Sequence, residues 1–387
     1  MKRVVFEPER GQRVPVWIWA RDPAPEAVRQ LQEIASRPYV ISHVAAMPDA
    51  HMAEGVAVGT VFATERTVVP AALGGDLGCG VAAVRFEIAA DLFDRRRLER
   101  VLERVALAVP VGDRVHRGRG VSVPDELLAR PLSTHALERV RDRLARAHLG
   151  TLGGGNHFLE VDRDAEGRLW LLVHSGSRGL GAAIAAHHRR AAEAHDPDAL
   201  AGLDVESDAG AGYVADARWA IDFARANRER MIASATETLV EELGVTPDRV
   251  EQVVDVHHNF VAREEHGGRS LWVHRKGAIG LLSDELGIVP GSMGTATYLV
   301  RGLGRSEAWR SCSHGAGRRM TRSQARRTIR PHAFAASMRR VVYRAPDVAA
   351  LVEEAPEVYR DIREVLEDEE DLATPVRRLE PIAVLKG

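Results

Sequence analysis

An α+β fold of mixed sheets joined by glycine-rich loops is the expectation for this chain, and three observations carry it. Strand-like segments are interspersed with amphipathic helical ones, without the regular strand–helix–strand repeat of a doubly wound sheet. Neither a GxGxxG fingerprint nor a Walker A loop is present. No Pro/Ser-rich linker and no internal repeat interrupts the 387 residues, so residues 1–387 are expected to form one domain.

Taken in order, residues 15–20 read as a strand. Residues 25–36 read as a helix, with proline in its first turn and Val28, Leu31 and Ile34 at helical spacing. Residues 47–51 (Met-Pro-Asp-Ala-His) read as a polar turn before 55–62, a small apolar run compatible with a buried strand. The loop 74–80 (Gly-Gly-Asp-Leu-Gly-Cys-Gly) leads into a strand over 81–86. Helices are expected over 92–109 and 124–148, followed by a glycine-rich stretch at 149–160. A strand over 169–173 delivers His174 into a Ser/Gly/Arg loop, and helices follow over 182–195 and 219–243. His187, His188 and His195 read as solvated or packing residues. Strands at 252–256, 271–274 and 298–300 come next, then a helix at 321–328, an acidic helix at 346–367 and a closing strand at 381–387.

Composition narrows the function classes. No run of about 18 apolar residues exists, so no membrane span is expected. The first residues lack a signal-peptide core, and Cys79 and Cys312 form no disulfide framework, which fits a reducing cytoplasm. A net charge of −2 argues against a uniformly basic nucleic-acid binder. Locally the asymmetry is larger: residues 301–345 hold twelve arginines and one acidic residue, while 352–372 hold ten acidic residues. That pattern suits either a basic face for a polyanion or two opposed helical faces. Lysine occurs only as Lys2, Lys276 and Lys386, and two of the three asparagines adjoin histidines, in Asn156-His157 and His258-Asn259.

The chemistry concentrates in the glycine loops. His314 is followed by Gly-Ala-Gly, which leaves room for a bulky group beside the imidazole and turns backbone N–H groups toward an anion. Arg318 and Arg319 add charge suited to phosphate, and a neutral imidazole attacks phosphorus as a nucleophile. Asp76, Cys79, His157, His174 and His258 lie at strand ends or in glycine loops, a mixed O/N/S set for two divalent ions with a bridging thiolate. Such ligands suit Mn²⁺, Zn²⁺ or Fe²⁺, and a two-metal site suits phosphoryl or nucleotidyl transfer. Arg178, Lys276 and Lys386 add cations for phosphate or base recognition.

These motifs, in this order, resemble those of the RtcB-type GTP-dependent RNA ligases, which splice tRNA and repair broken RNA. The resemblance runs through 47–51, 74–80, 150–160, 174–181, 258–259, 275–278, 290–294, 314–318 and Lys386-Gly387, and so covers nearly the whole chain. It implies an RtcB-like fold and two Mn²⁺ ions on Asp76, Cys79, His157, His174 and His258, with Cys79 shared. It implies a GTP site formed by Asn156, His157, Phe158, Leu159, Glu160, His258, Asn259, Pro290, Gly291, Ser292, Met293, Thr297, His314, Gly315, Ala316, Gly317 and Lys386. His314 would take GMP from GTP and pass it to an RNA 3′-phosphate, and a 5′-hydroxyl would then displace GMP. A 2′,3′-cyclic phosphate would first be opened. Arg178 and Lys276 would hold the RNA terminal phosphate, and Asp49 would act toward the 5′-hydroxyl. Thr297 stands where relatives commonly carry serine, which keeps the hydroxyl. The basic stretch 109–125 resembles a lid.

Two rival readings remain at the level of sequence. A dinuclear phosphoesterase would use the same ligands with water as nucleophile and would not need His314. A catalytically silent RNA-binding relative would engage partners through the arginine-rich 301–345 segment.

Overall fold

The computed structural model of the chain describes residues 1–118, 121–244 and 250–387, so Arg119 and Gly120 of the expected lid lie outside the described residues. Two large sheets dominate. The first runs, in spatial order, Arg3–Val5, Val16–Ile18, Ile41–His51, Val58–Thr64, Arg269–Lys276 and Asn259–His266. The second runs Val250–His257, Gly80–Ala89, Arg168–Ser175, Phe158–Arg163, Ala373–Lys386, Thr297–Gly302 and Leu286–Val289. Val342–Arg344 pairs in parallel with Ala373–Lys386. Because Val250–His257 belongs to one sheet and Asn259–His266 to the other, the chain crosses between them at His258. The arrangement is mixed α and β with several sheets, as expected.

A helix of 36 residues, Asp208–Leu243, supports the second sheet. At 1.5 Å per residue it is about 54 Å long. Ser207 caps its start by accepting from Gly210 N–H, and Gly244 at φ 68° ends it in the left-handed conformation that glycine tolerates. Its Met231, Ile232, Ala235 and Leu239 pack into one core with Leu159, Val161, Leu171 and Val173 of the sheet. Helix Pro25–Ala35 buries Ala27, Leu31 and Ile34 against Val16, Ile18, Val44 and Ala46 of the first sheet. Among the described residues no helix is long and apolar enough to cross a membrane.

Several expected elements are corrected. Residues 47–51 are not a turn; they end the strand Ile41–His51, whose register shifts between Ala46 and His51 as in a bulge. The 124–148 stretch is two helices, Asp125–Ala129 and His135–His148, interrupted around Pro131 and restarted by the Thr134 cap. The acidic 346–367 stretch is two short 3₁₀ turns, Ala349–Glu354 and Pro356–Val358, and a helix Ile362–Asp368. Pro356 lacks the N–H that a continuous helix would need there. Of the two readings of the charge asymmetry, mutual pairing accounts for part: Arg318 and Arg322 pair with Glu354, and Arg326 with Glu353.

A candidate metal and nucleotide-transfer site

Register brings the expected metal ligands together. Gly80 pairs with His257 on one side and Ser175 on the other, and His174 pairs with Val81 and Phe158. Four neighbouring strands thus present Cys79, His157, His174 and His258 at one end of the sheet, with Asp76 in the loop just before Cys79. Sγ of Cys79 lies 3.2 Å from Nε2 of His174 and 3.5 Å from Nε2 of His157. Nε2 of His174 lies 3.1 Å from Nε2 of His258, and Nε2 of His157 lies 3.3 Å from Oδ2 of Asp76. The donors fall into two groups able to hold a metal ion, Cys79/His174/His258 and Asp76/Cys79/His157, which share the thiol.

The donor chemistry fits divalent cations. His157 donates from Nδ1 to Leu152 O at 2.8 Å, so its Nε2 carries a lone pair toward Cys79 and Asp76. Burial pushes His174 and His258 well below the usual imidazole range, which keeps both in the neutral, ligating form. Burial and the neighbouring Asp76 push the Cys79 thiol up, so a cation is what would draw out its thiolate.

His314 stands beside this group, its ring centroid 4.6 Å from that of His258. The short strand Ser311–Ser313, paired with Ala278–Gly280, carries it. Nδ1 of His314 donates to Oδ2 of Asp49 at 2.6 Å, and the backbone N–H of His314 reaches the same oxygen at 3.1 Å. Asp49 is fully buried at the bulged end of Ile41–His51. Gly317, at φ 68°, fits closely there: a Cβ on it would fall 2.4 Å from Asp49 O. Beneath the loop, Ser313 N–H donates to the buried Glu369 at 2.8 Å. A pocket of about 290 Å³ opens in front of His314.

The chain matches the family described as tRNA-splicing ligase RtcB over residues 30–136 and 125–387. It is 32% identical to the RNA-splicing ligase RtcB of Escherichia coli K12, over 97% of this chain and 98% of that protein. Against the RNA-splicing ligase RtcB of Mycobacterium tuberculosis it is 32% identical, over 92% of this chain and 100% of the relative. The tRNA-splicing ligase RtcB of Archaeoglobus fulgidus is 30% identical, over 97% of this chain and 95% of the relative.

The chain belongs to the RtcB family.

Most residues expected to form the RtcB nucleotide site line one pocket wall: Asn156, Phe158, Glu160, His258, Asn259, Pro290, Gly291, Ser292, Met293, Thr297, His314, Gly315, Ala316, Gly317 and Lys386. Leu159 does not. Strand side chains alternate, so Phe158 and Glu160 face the pocket while Leu159 lies wholly buried in the opposite core. His157 is turned toward Cys79 and Asp76 instead of the pocket. Asp49 is likewise off the pocket wall, with its Oδ2 engaged by His314. Lys276 lines the pocket, donating from Nζ to Glu54 O at 2.5 Å and Val56 O at 2.7 Å, and burial lowers it to about 8. Arg178, at φ 52°, lies against Gly153 and donates from Nε to Thr151 Oγ1 at 3.2 Å. It stands outside the pocket wall.

Sequence reasoning passed over Glu354, Tyr359 and Arg322, which also line the pocket. Glu354 is buried and receives Tyr359 OH at 2.5 Å, Arg318 at 3.2 Å and Lys386 at 3.2 Å. Arg318, expected to face phosphate, is thereby tied to a carboxylate. One signal pointed toward Glu354: a rare lysine buried at a strand end needs an anionic partner, and the acidic 352–372 run was the nearest supply.

Proposed function

We propose that the chain is an RNA ligase that joins an RNA 3′-phosphate or 2′,3′-cyclic phosphate end to a 5′-hydroxyl end. It would use GTP as substrate and two Mn²⁺ ions, in cytoplasmic tRNA splicing or RNA repair, as one domain over residues 1–387. The observation that carries this reading is the contact between His314 Nδ1 and buried Asp49, set beside the histidine–cysteine cluster.

With Nδ1 engaged, Nε2 of His314 holds the lone pair that attacks the α-phosphorus of GTP. The P–N bond forms as the bond to the β-phosphate oxygen breaks, and pyrophosphate leaves. An oxygen of the RNA 3′-phosphate then attacks the same phosphorus, the P–N bond breaks, and the imidazole is regenerated. The 5′-hydroxyl of the second RNA loses its proton and attacks the activated 3′-phosphorus, releasing GMP. Water opens a cyclic phosphate beforehand.

Asp76, Cys79, His157, His174 and His258 would hold the Mn²⁺ ions, which supply neutralising charge to the phosphates when bound. Asp49 acts as a positioning residue that fixes the tautomer and ring plane of His314. Lys386, buried against Glu354 beside Phe158, and Glu160 recognise the base. Arg178 and Lys276 receive the RNA terminal phosphate. The exposed Arg319, Arg330, Arg339 and Arg340 suit the RNA backbone.

Incubation with α-labelled GTP and Mn²⁺, followed by a denaturing gel, tests this reading. Acid-labile label on the wild type and none on His314→Ala is expected. A wild type that binds metal and GTP yet takes no label would point to one of the two rivals, a phosphoesterase with water as nucleophile or a catalytically silent RNA-binding relative.

A further inference from the structure

The third asparagine of the chain, Asn227, and its neighbour Arg228 sit in the middle of the long helix and face the backbone of the metal-ligand loops. Asn227 is fully buried and uses both ends of its amide. Its Oδ1 accepts from Gly150 N–H at 2.7 Å and Thr151 N–H at 3.1 Å. Its Nδ2 donates to Thr151 O at 3.1 Å, Ser175 Oγ at 3.2 Å and Gly176 O at 3.3 Å. Arg228, also fully buried, donates to Gly78 O at 3.0 Å and Ser175 O at 3.1 Å. Its Nε and Nη2 grip Oδ1 of Asp255 at 2.9 and 2.5 Å.

Those acceptors and donors adjoin the proposed ligands. Gly78 precedes Cys79, Ser175 and Gly176 follow His174, Gly150 and Thr151 open the loop that ends at His157, and Asp255 is three residues before His258. The loops also interlock with the helix and with one another. A Cβ on Gly78 would fall 2.7 Å from Ile221 Cα, and one on Gly176 would fall 2.2 Å from Asp76 Oδ1.

We infer that Asn227 and Arg228 are positioning residues for the metal centre: together they lock all four ligand-bearing segments into the metal-binding geometry before any ion arrives. This rests on the reading of Asp76, Cys79, His157, His174 and His258 as metal ligands. The backbone polar groups beside the ligands are satisfied by one rigid helix, so binding an ion does not have to order four separate loops. A guanidinium is suited to the task because its planar fork serves two carbonyls and a carboxylate at once, which a lysine ammonium on a thinner stem cannot match.

The test uses the full-length protein, stripped of metal and titrated with Co²⁺ and with Mn²⁺. Affinity and the thiolate-to-Co²⁺ absorption band are followed in wild type, Asn227→Ala, Asn227→Asp, Arg228→Lys and a control, Met231→Ala. Met231 is fully buried on the same helix and packs into the apolar core, so its truncation lowers stability while leaving the hydrogen bonds from Asn227 and Arg228 to the loops in place. Asn227→Asp keeps the acceptor and Arg228→Lys keeps the charge, which makes both suited to folding where Asn227→Ala fails.

Expected is a loss of about 10–100-fold in metal affinity, with a weakened or displaced thiolate band, in the Asn227 and Arg228 variants and not in Met231→Ala. Folded variants with wild-type affinity and band overturn the inference while leaving the metal reading intact. Equal weakening in Met231→Ala also overturns it, since general destabilisation would then suffice. A wild type that binds neither ion overturns both.

Discussion

Asp49 and His314 are 265 residues apart in the chain and 2.6 Å apart in space, and a single carboxylate oxygen receives both the imidazole Nδ1–H and the backbone N–H of His314. The double contact fixes the ring's tautomer as well as its direction. An amide in place of the carboxylate can offer a donor to Nδ1 and so move the proton to Nε2. Asp49→Asn is therefore expected to slow transfer of labelled GMP to the protein by about 10²-fold or more, with Mn²⁺ affinity little changed. Label rates equal to wild type would show that Asp49 does not set the tautomer.

Gly317 packs so closely on Asp49 that a side chain at this position would displace the carboxylate that holds the His314 imidazole. At φ 68° any L-residue is strained, and the added Cβ of Gly317→Ala would fall 2.8 Å from Asp49 Cβ. Loss of most guanylylation is expected, with the Co²⁺ spectrum preserved because no ligand moves. An unchanged spectrum together with unchanged labelling would count against the tight coupling of these two residues.

Glu369 gives a pH dependence with a definite sign. Burial, and then Asp49, raise its carboxyl from 4.5 to about 8 against the lowering effect of Ser313 N–H. The folded state favours the protonated acid, so this contribution to stability is whole below about 4.5 and is lost as pH rises through about 8. Glu369→Gln imitates the neutral acid. Denaturation midpoints measured between pH 5 and 9 should fall less steeply in the variant than in the wild type, and parallel curves would remove Glu369 as the cause.

Metal removal should be visible as stability, because a ligand that binds only the folded chain stabilises it by mass action. Free Mn²⁺ at 100 times its dissociation constant would add about 2.7 kcal/mol. Chelation should lower the melting temperature of the wild type, and Cys79→Ser, which removes the shared sulfur, should show a much smaller difference between chelated and Mn²⁺-loaded samples. A wild-type melting curve indifferent to chelator and Mn²⁺ alike would contradict this.

Leu159 separates core from pocket on a single strand. Leu159→Ala is expected to cost about 2–5 kcal/mol of stability as a buried leucine truncation, while KM for GTP stays near wild type. A rise in KM without loss of stability would return Leu159 to the nucleotide site.

Much of the site was legible in the chain itself. Glycines around His314, Cys79 and His157, and lysine kept at only three positions, mark places where backbone approach or a particular amine matters, and these are local properties of residue type. The family resemblance rests on the same residues, and the five candidate ligands it implies lie together in the fold. The alternation of Phe158, Leu159 and Glu160 is equally local in principle, yet the glycines at 153–155 mask it, because they mark the stretch as a loop where a strand begins at Phe158.

What only the tertiary structure decided is which distant groups meet. The sheet register that sets Gly80 between His257 and Ser175, the bulge that delivers Asp49 to His314, and the burial of Glu354 against Lys386 all depend on pairings far apart in sequence. Local composition cannot encode them, because an acidic run looks the same whether it faces water or a buried lysine. Asn227 and Arg228 are the clearest instance: within the sequence they are two polar residues of a long helix, and packing alone gives them four loops to hold.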